Sequence, residues 1–248
     1  MLETITDHET RPPYGLSRCS LLAGLPDETV HAIEDACVWY RCQPDEIILH
    51  ADDKLDSVYF VVEGSVRIFH QLQGKREINF AEIATGGVFG ELSAIDGGGR
   101  TADAVTGEAG IIAVCPRQTF LTALMDHPTL AFRLLQKLAG IIRKSDQRIT
   151  NLAGMTGSQR VFAELLRLSA PDVERPGTFS ISPAPYHQDI ASWAGTTTDV
   201  VARAIAHLMK AGLLVRYGST LAITDRGRVE LLLKTFQNDE TPFEDGKR

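Results

Sequence analysis

The chain has 248 residues, 44% of them hydrophobic, and four scattered cysteines without a C-x-x-C pair, which fits two ordinary domains with reduced thiols and excludes a disulfide scaffold. No apolar run approaches the roughly 20 residues of a membrane helix, and the polar start lacks the regions of a secretory signal, so we expect a cytoplasmic protein without a membrane partner. The net charge of −7 does not exclude DNA, because residues 158–236 carry nine Lys and Arg against seven Asp and Glu, a balance of +2, and phosphate contact needs only a few positioned cations.

The N-terminal half is expected to be rich in β-structure. The first 15 residues, with Pro12 and Pro13, predict a flexible lead, and residues 27–36 predict a short helix. From Glu46 to Cys115, short runs of β-branched and aromatic residues alternate with glycines: EIILH, SVYFVVE, SVRIFH, REINFAEI and GIIAVC. Strands this short, separated by glycine turns, indicate a compact all-β sandwich or barrel.

A helical pattern follows Pro116, and residues 128–153 predict one long helix. Its apolar positions alternate in steps of three and four once Ser145 is counted: Leu135, Leu138, Ile142, Ile149 and Leu152. This heptad seam favours pairing with a second copy of the chain, although a helix lying on its own domain produces a similar stripe. A hydroxyl in an apolar seam needs a partner, either the opposite chain or a ligand.

The C-terminal segment predicts a hinge at residues 154–157, followed by a second unit. This unit begins with the helix QRVFAELLRLSA and a strand at residues 178–181. The stretch HQDIASWAGTTTDVVARAIAHLMKAGLLV then indicates two helices around a turn at Gly195. Apolar residues at helical spacing supply the inner faces: Ile190, Ala194, Val201, Ile205 and Leu208. LLVRYGSTLAIT predicts a two-stranded wing turning at residues 217–219, and residues 237–248 predict a solvated tail.

The sharpest local signal is FGELSAIDGGGRTADA at residues 89–104. A glycine-rich corner with Glu91 and Arg100 could close a loop around a phosphodiester, whose charge backbone N–H groups and Arg100 would neutralise. Glu91 could not sit against phosphate, but it can accept a hydrogen bond from a ribose hydroxyl. The alternative is a Glu91–Arg100 salt bridge that ties down a surface turn.

This segment resembles the phosphate-binding cassette of cyclic-nucleotide-binding domains, which occur in CRP/FNR transcription regulators, kinase regulatory subunits and cyclic-nucleotide-gated channels. VVEGSVRIF, the NLA sequence at residues 151–153 and the helix-turn-helix also resemble this family, so the likeness covers roughly residues 18–225. The resemblance implies that backbone groups of Gly90 and Leu92 contact the ligand. It implies that Glu91 binds the ribose 2′-hydroxyl with Ser93 beside it, and that Arg100 and Thr101 bind the cyclic phosphate.

The same resemblance implies an α+β architecture without enzymatic activity. The expected parts are an N-terminal β-roll (a double-stranded β-helix or jelly roll) at residues 16–127, a long dimerisation helix at 128–154, a winged helix-turn-helix at 158–236 and the flexible tail at 237–248. The expected partners are a second copy of the chain, double-stranded DNA with a pseudo-palindromic operator, and RNA polymerase.

The identity of the nucleotide depends on the long helix. In the CRP branch two hydroxyl residues meet the base, and the matching positions here are Ser145 and Asp146. A carboxylate only accepts hydrogen bonds, which suits the guanine N1–H and N2–H2 groups better than the adenine edge, and Thr101 can also reach the guanine amino group. We therefore expect cGMP as the effector and no metal. The alternative is that Asp146 points to solvent beside Lys144 or Arg148, where helix-surface ion pairing is easy, and that the site takes cAMP or both nucleotides.

The bound nucleotide is expected to fix the hinge and to set two recognition helices about 34 Å apart, matching successive major grooves. The candidate DNA contacts are Gln188, Thr197, Thr198, Asp199 and Arg203. Arg203 suits guanine, Thr198 a base or thymine methyl, and Asp199 cytosine, while Gln188 is expected to meet phosphate. Thr196-x-x-Asp199 also fits a helix cap. The family's usual Arg before the acidic residue is replaced by Thr198, so the operator can differ from the common half-site.

Three other interpretations follow from the residue types. A redox or haem sensor of the same family would need clustered cysteines or a Cys/His pair, and Cys19, Cys37, Cys42 and Cys115 are scattered. A ligand-independent regulator would not need to retain the glycine, acid and base of the cassette together. An enzyme would need a catalytic constellation, but the histidines are dispersed singly, without H-E-x-x-H or G-x-S-x-G.

Overall fold

The chain forms two compact units. A computed structural model describes residues 3–6, 11–71 and 77–235. Contacts between residues divide the chain into a first unit, residues 1–143, and a second unit, residues 144–248. The tail predicted at residues 237–248 lies outside the described residues.

The first unit is built from two antiparallel sheets. Its strands are β1 Glu3–Ile5, β2 Val38–Cys42, β3 Ile47–Leu49, β4 Val58–Glu63, β5 Ser65–Gln71, β6 Glu77–Ala84, β7 Val88–Phe89, β8 Asp103–Thr106 and β9 Gly110–Cys115. One sheet has the order β1-β2-β9-β4-β7 and the other β3-β8-β5-β6. Most spatial neighbours are therefore distant in sequence, as in a jelly roll, and the predicted β-roll is confirmed.

Apolar residues pack on both faces of the first sheet, against helices on one face and against the second sheet on the other. Strand β4 is buried along almost its whole length, as its unbroken run VYFVVE predicts for a central strand. Its Phe60 joins Trp39, Phe120 and Leu130 in the larger core. On the other side of the same strand, Tyr59 belongs to a second buried cluster. Strand β4 thus places Tyr59 at the site described below.

Helices α1 Asp27–Ala36, α2 Glu91–Asp96 and α3 Arg117–Asp126 complete the first unit. Helix α4 Pro128–Gly154 begins in the first unit and ends in the second. Its Leu130 and Leu134 are buried, so its start lies on its own unit. Three seam residues are instead strongly exposed in the single chain: Leu135 at 62%, Ile142 at 60% and Ile149 at 65%. In the described part of the chain, no helix combines the length and apolar character needed to cross a bilayer.

The second unit combines helices with a small antiparallel sheet. Its helices after α4 are α5 Gly157–Leu168, α6 His187–Ala194, α7 Thr198–Lys210 and α8 Arg226–Thr235. Its strands are β10 Ala170–Pro171, β11 Phe179–Ile181, β12 Leu214–Tyr217 and β13 Thr220–Ile223, in the order β10-β11-β13-β12. Strands β12 and β13 form the predicted wing, with Tyr217 paired to Thr220.

Some expectations were wrong in detail. The predicted flexible lead contains strand β1, which pairs with β2 and buries Ile5. A strand of three residues has no readable alternation, and its partner lies far along the chain. Strands β2 and β8 and helix α8 also went unpredicted. Each is short or weakly amphipathic, and its position is set by tertiary pairing.

Candidate functional site

The turn between β7 and α2 can only be built with glycine. Gly90 has a φ of 79° and caps the start of α2. A Cβ at this position would lie 2.6 Å from Nη1 of Arg100 and 3.1 Å from the Ser57 carbonyl oxygen. At the other end of α2, Gly97 also has a positive φ, and its N–H donates to the Ser93 carbonyl. Only a residue without a Cβ lets the Gly90 backbone lie this close to Arg100.

Arg100 is buried at the centre of this cassette, with 4% of its surface exposed. Its Nη1 donates to the Gly90 carbonyl at 2.8 Å, and its Nη2 donates to the Ser57 carbonyl at 2.6 Å. The guanidinium carbon lies 5.3 Å from the centre of the Tyr59 ring. Among the described residues, its Nε is buried without a hydrogen-bond partner. A buried cation held by neutral carbonyls and a ring is suited to bind an anion.

Glu91 is equally buried, and its ion-pair partner is Lys137 on helix α4. Lys137 Nζ lies 2.7 Å from Glu91 Oε1 and donates to the Val88 carbonyl at 2.6 Å. The alternative of a Glu91–Arg100 salt bridge is therefore wrong for the described chain, because Arg100 bonds to carbonyls and Glu91 to Lys137. Sequence reasoning missed Lys137, which lies 46 residues from Glu91 in the chain and belongs to no motif.

The remaining cassette residues differ in accessibility. Ser93 is buried, and its Oγ donates to the Gly99 carbonyl at 3.1 Å, which holds the loop after α2 in place. Leu92 is 39% exposed, and Thr101 is also exposed. The structure thus gathers Gly90, Glu91 and Arg100 around one turn, with Ser93 supporting the loop from inside.

Ser145 and Asp146 lie on α4 in the second unit, and both are exposed. Their contact with a base stays a prediction. Within the described residues, Asp146 forms no ion pair with Lys144 or Arg148, and Arg148 donates instead to the Ser192 carbonyl at 3.3 Å. Asp146 is therefore exposed to solvent and makes no ion pair within the described chain.

Helices α6 and α7 form the predicted helix-turn-helix. Gly195 takes the positive φ of the turn, 59°, and ends α6. Thr197 is the N-cap of α7, and its Oγ1 accepts from the Val200 N–H at 3.4 Å. The alternative cap at Thr196 is wrong by one residue. Asp199 lies in the first turn of α7, where its charge favours the helix N-terminus.

The outer face of α7 is polar and accessible, as a groove-binding helix requires. Val201, Ile205 and Leu208 are buried in the core of the second unit. The candidate DNA contacts are all exposed: Gln188 near the start of α6, and Thr197, Thr198, Asp199 and Arg203 at the start of α7. Burial of one stripe fixes the opposite face outward, so these side chains are free to reach a duplex.

The cysteines are buried free thiols in packing positions. A hydrogen bond with Cys115 and burial raise the pKa of Cys37, and burial raises the pKa of Cys42 to about 11. The same hydrogen bond lowers the pKa of Cys115, which is completely buried. Thiols with a raised pKa stay protonated, whereas metal ligation requires thiolates, so Cys37 and Cys42 are unsuited to that role. The described residues also contain no group of three or more His, Cys, Asp or Glu that could hold a metal ion.

Comparison with known proteins matches both halves of the chain. Residues 39–127 match the cyclic nucleotide-binding domain, and residues 159–232 match the Crp-like helix-turn-helix domain. The Cyclic AMP receptor protein of Thermus thermophilus is 28% identical over 74% of this chain and 82% of its own length. The Global nitrogen regulator of Synechocystis sp. is 29% identical over 72% of this chain and 78% of its own length. The structure of FixK2 from Bradyrhizobium japonicum superposes with a TM-score of 0.64 at 25% identity, covering 79% of this chain and 96% of that chain.

These matches agree with the local geometry. The cassette around Gly90, Glu91 and Arg100 lies within the first matched domain, and helices α6 and α7 lie within the second. Both domains are those of regulators and not of enzymes. The chain belongs to the CRP/FNR family of DNA-binding transcription regulators, with a cyclic-nucleotide-binding domain followed by a Crp-like helix-turn-helix.

Proposed function

We propose that this protein is a homodimeric transcription regulator whose DNA affinity is controlled by a cyclic nucleotide, with cGMP favoured over cAMP. The observation that carries this proposal is the pair of buried ionisable side chains, Glu91 and Arg100, at one glycine-capped turn. The domains are proposed at residues 16–127, 128–154 and 158–236.

The charges of the cassette fit a cyclic nucleotide. Arg100 holds its guanidinium on two carbonyls and leaves Nε unpartnered among the described residues. A phosphate oxygen offers this cation charge-assisted bonds, which are stronger than those to carbonyls. Glu91 keeps a second carboxylate oxygen for a ribose hydroxyl while Oε1 contacts Lys137. The two side chains can thus serve different ends of one ligand.

The preference for cGMP rests on Asp146 and Thr101. Both side chains are exposed, and Asp146 makes no ion pair with its neighbouring cations in the described chain. An accepting carboxylate complements the two guanine donors. The second candidate, cAMP, is favoured by the name of the Thermus relative, Cyclic AMP receptor protein.

Dimerisation is supported by the exposed seam of α4. Leu135, Ile142 and Ile149 are each at least 60% exposed in the single chain, and burying them against a second copy would remove that apolar surface from water. Two copies would present two α7 helices to a pseudo-palindromic operator. RNA polymerase is the proposed further partner at the promoter.

Titration calorimetry with cGMP and with cAMP tests the effector, using the wild type, Asp146→Ser and the control Asp126→Ser. The control removes an exposed carboxylate at the end of α3. We expect tighter binding of cGMP, and a loss of about tenfold or more for cGMP alone in Asp146→Ser. Equal or tighter cAMP binding would assign the protein to cAMP, and binding of neither would refute nucleotide control.

A further inference from the structure

Within the second unit, Arg148 and Leu152 of helix α4 contact the helix-turn-helix. Arg148 Nη2 donates to the Ser192 carbonyl in the last turn of α6 at 3.3 Å. Leu152 packs beside the turn itself, since a Cβ on Gly195 would lie 3.1 Å from Leu152 Cδ2. The final turns of α4 therefore lie against the point where α6 ends.

The Ser192 carbonyl, at the C-terminal end of α6, is a favourable acceptor for a cation. Carbonyls in the last turn of a helix lack a full set of backbone donors and lie at the negative end of the helix dipole. Arg148 is half-buried, and burial lowers the pKa of its guanidinium while Glu164 raises it. A long arginine side chain can usually extend its guanidinium into water. Arg148 is instead half-buried and directed at the Ser192 carbonyl.

Arg160 holds the same turn from α5, in a firmer way. Its Nε donates to the Ala194 carbonyl at 2.8 Å and its Nη2 to the Gly195 carbonyl at 3.1 Å, while its Nη1 donates to the Met155 carbonyl at 2.8 Å. These bonds fix the turn at Gly195 to helix α5. The Arg148 bond, at 3.3 Å, is the contact that joins α4 to the same turn.

We propose that Arg148 is a positioning residue that transmits the nucleotide-bound state from α4 to α6 and so to the recognition helix. This inference rests on the proposed function, which places the base at Ser145 and Asp146, less than one helical turn before Arg148. The same continuous helix carries Lys137, which contacts Glu91 of the cassette. A shift of this helix segment on nucleotide binding displaces Arg148, and with it the end of α6.

The experiment measures coupling, not DNA affinity alone. Fluorescence anisotropy gives the Kd for a pseudo-palindromic duplex, selected with the wild type from random duplexes, with and without the nucleotide that the wild type binds more tightly. The ratio of the two Kd values is the coupling. Arg148→Met removes the charge and the donor groups and keeps the apolar stem of the side chain. Arg143→Met is the matched control, because it removes the same charge from an exposed position of α4.

We expect Arg148→Met to lower the coupling ratio by about fivefold or more, with the nucleotide Kd from calorimetry unchanged within about twofold. Arg143→Met should keep the wild-type ratio. A purely structural role would weaken DNA binding equally with and without nucleotide and leave the ratio unchanged, which would overturn the inference. If Arg148→Met does not fold, Arg148→Leu decides, and an unchanged ratio in it overturns the inference as well. A wild-type ratio of one refutes the proposed function itself.

Discussion

At the scale of single residues, the site depends on two buried ionisable groups that do not pair with each other. Arg100 is held by carbonyls of Gly90 and Ser57, and Glu91 is held by Lys137. A direct salt bridge would have neutralised both groups and left no charge for a ligand. Separate partners keep the cation available for an anion and the carboxylate available as an acceptor.

Arg100→Leu should therefore abolish nucleotide binding. The substitution removes the cation proposed to bind the phosphate, and we expect a loss of at least about 100-fold in affinity, or about 3 kcal/mol. Titration calorimetry measures the loss. Arg226→Leu is the control, because Arg226 also donates to a carbonyl, that of Leu166, and both residues lie outside the cassette. Unchanged nucleotide affinity in Arg100→Leu, with a native thermal transition, would remove the cassette from the proposed mechanism.

A site residue could be predicted from the sequence only where it belongs to a short motif. Gly90, Glu91 and Arg100 lie within one short segment, so a glycine turn between an acid and a base could be read directly from the sequence. Lys137 could not, because a lysine on an amphipathic helix is ordinarily a solvated residue. Only the packing of α4 against β7 brings its Nζ to Glu91 and to the Val88 carbonyl.

At the scale of elements, periodicity predicted the helices well. The stripe of Val201, Ile205 and Leu208 is buried, and the turn at Gly195 has the positive φ that its sequence indicated. The strands were harder. β8 and β2 read as ordinary mixed sequence, and they become strands because their partners in the jelly roll, such as β5 and β9, supply the hydrogen bonds. The cap of α7 was misplaced by one residue, since three consecutive threonines give the same signal.

The recognition helix gives a prediction at this scale. Arg203→Ala should cost about 1 to 3 kcal/mol of specific DNA binding, because it removes a long donor from the exposed face of α7. Fluorescence anisotropy on the selected duplex and on an unrelated duplex separates specific from general binding. Arg228→Ala on α8 removes the same charge from an exposed position outside α7. Equal affinity of Arg203→Ala and wild type for the selected duplex would mean that α7 is not the element that reads bases.

At the scale of the whole molecule, the single chain leaves an apolar seam on α4 uncovered. Leu130 and Leu134 at the start of the helix are buried in the first unit, whereas Ile142 and Ile149 lie exposed further along. The sequence left open whether the apolar residues of α4 pack on their own domain or face outward. The start of the helix does the first, and the later part does the second. An outward seam of this length is a liability for a monomer, and the proposed dimer would cover it.

Ile142→Asp should prevent dimerisation. Two carboxylates would face each other in an apolar seam without partners, which costs several kcal/mol. Sedimentation velocity should show a monomer near the chain mass of 27.1 kDa. Met125→Asp is the control, because Met125 is 71% exposed at the end of α3 and lies off the seam. A dimer of undiminished stability in Ile142→Asp would mean that the copies associate through another surface.

The burial of the cysteines has a practical consequence for following these changes in solution. Cys19, Cys37, Cys42 and Cys115 are all buried in the first unit. The raised pKa of Cys37 and of Cys42 favours their slowly reacting protonated form. A hydrogen bond with Cys37 lowers the pKa of Cys115, so its complete burial is what shields that thiol from reagents. We therefore expect the native cysteines of the folded chain to react only slowly with a maleimide reagent. A spectroscopic probe attached to one cysteine introduced on the outer face of α7 would report on that helix alone, without first stripping the natural thiols from the core.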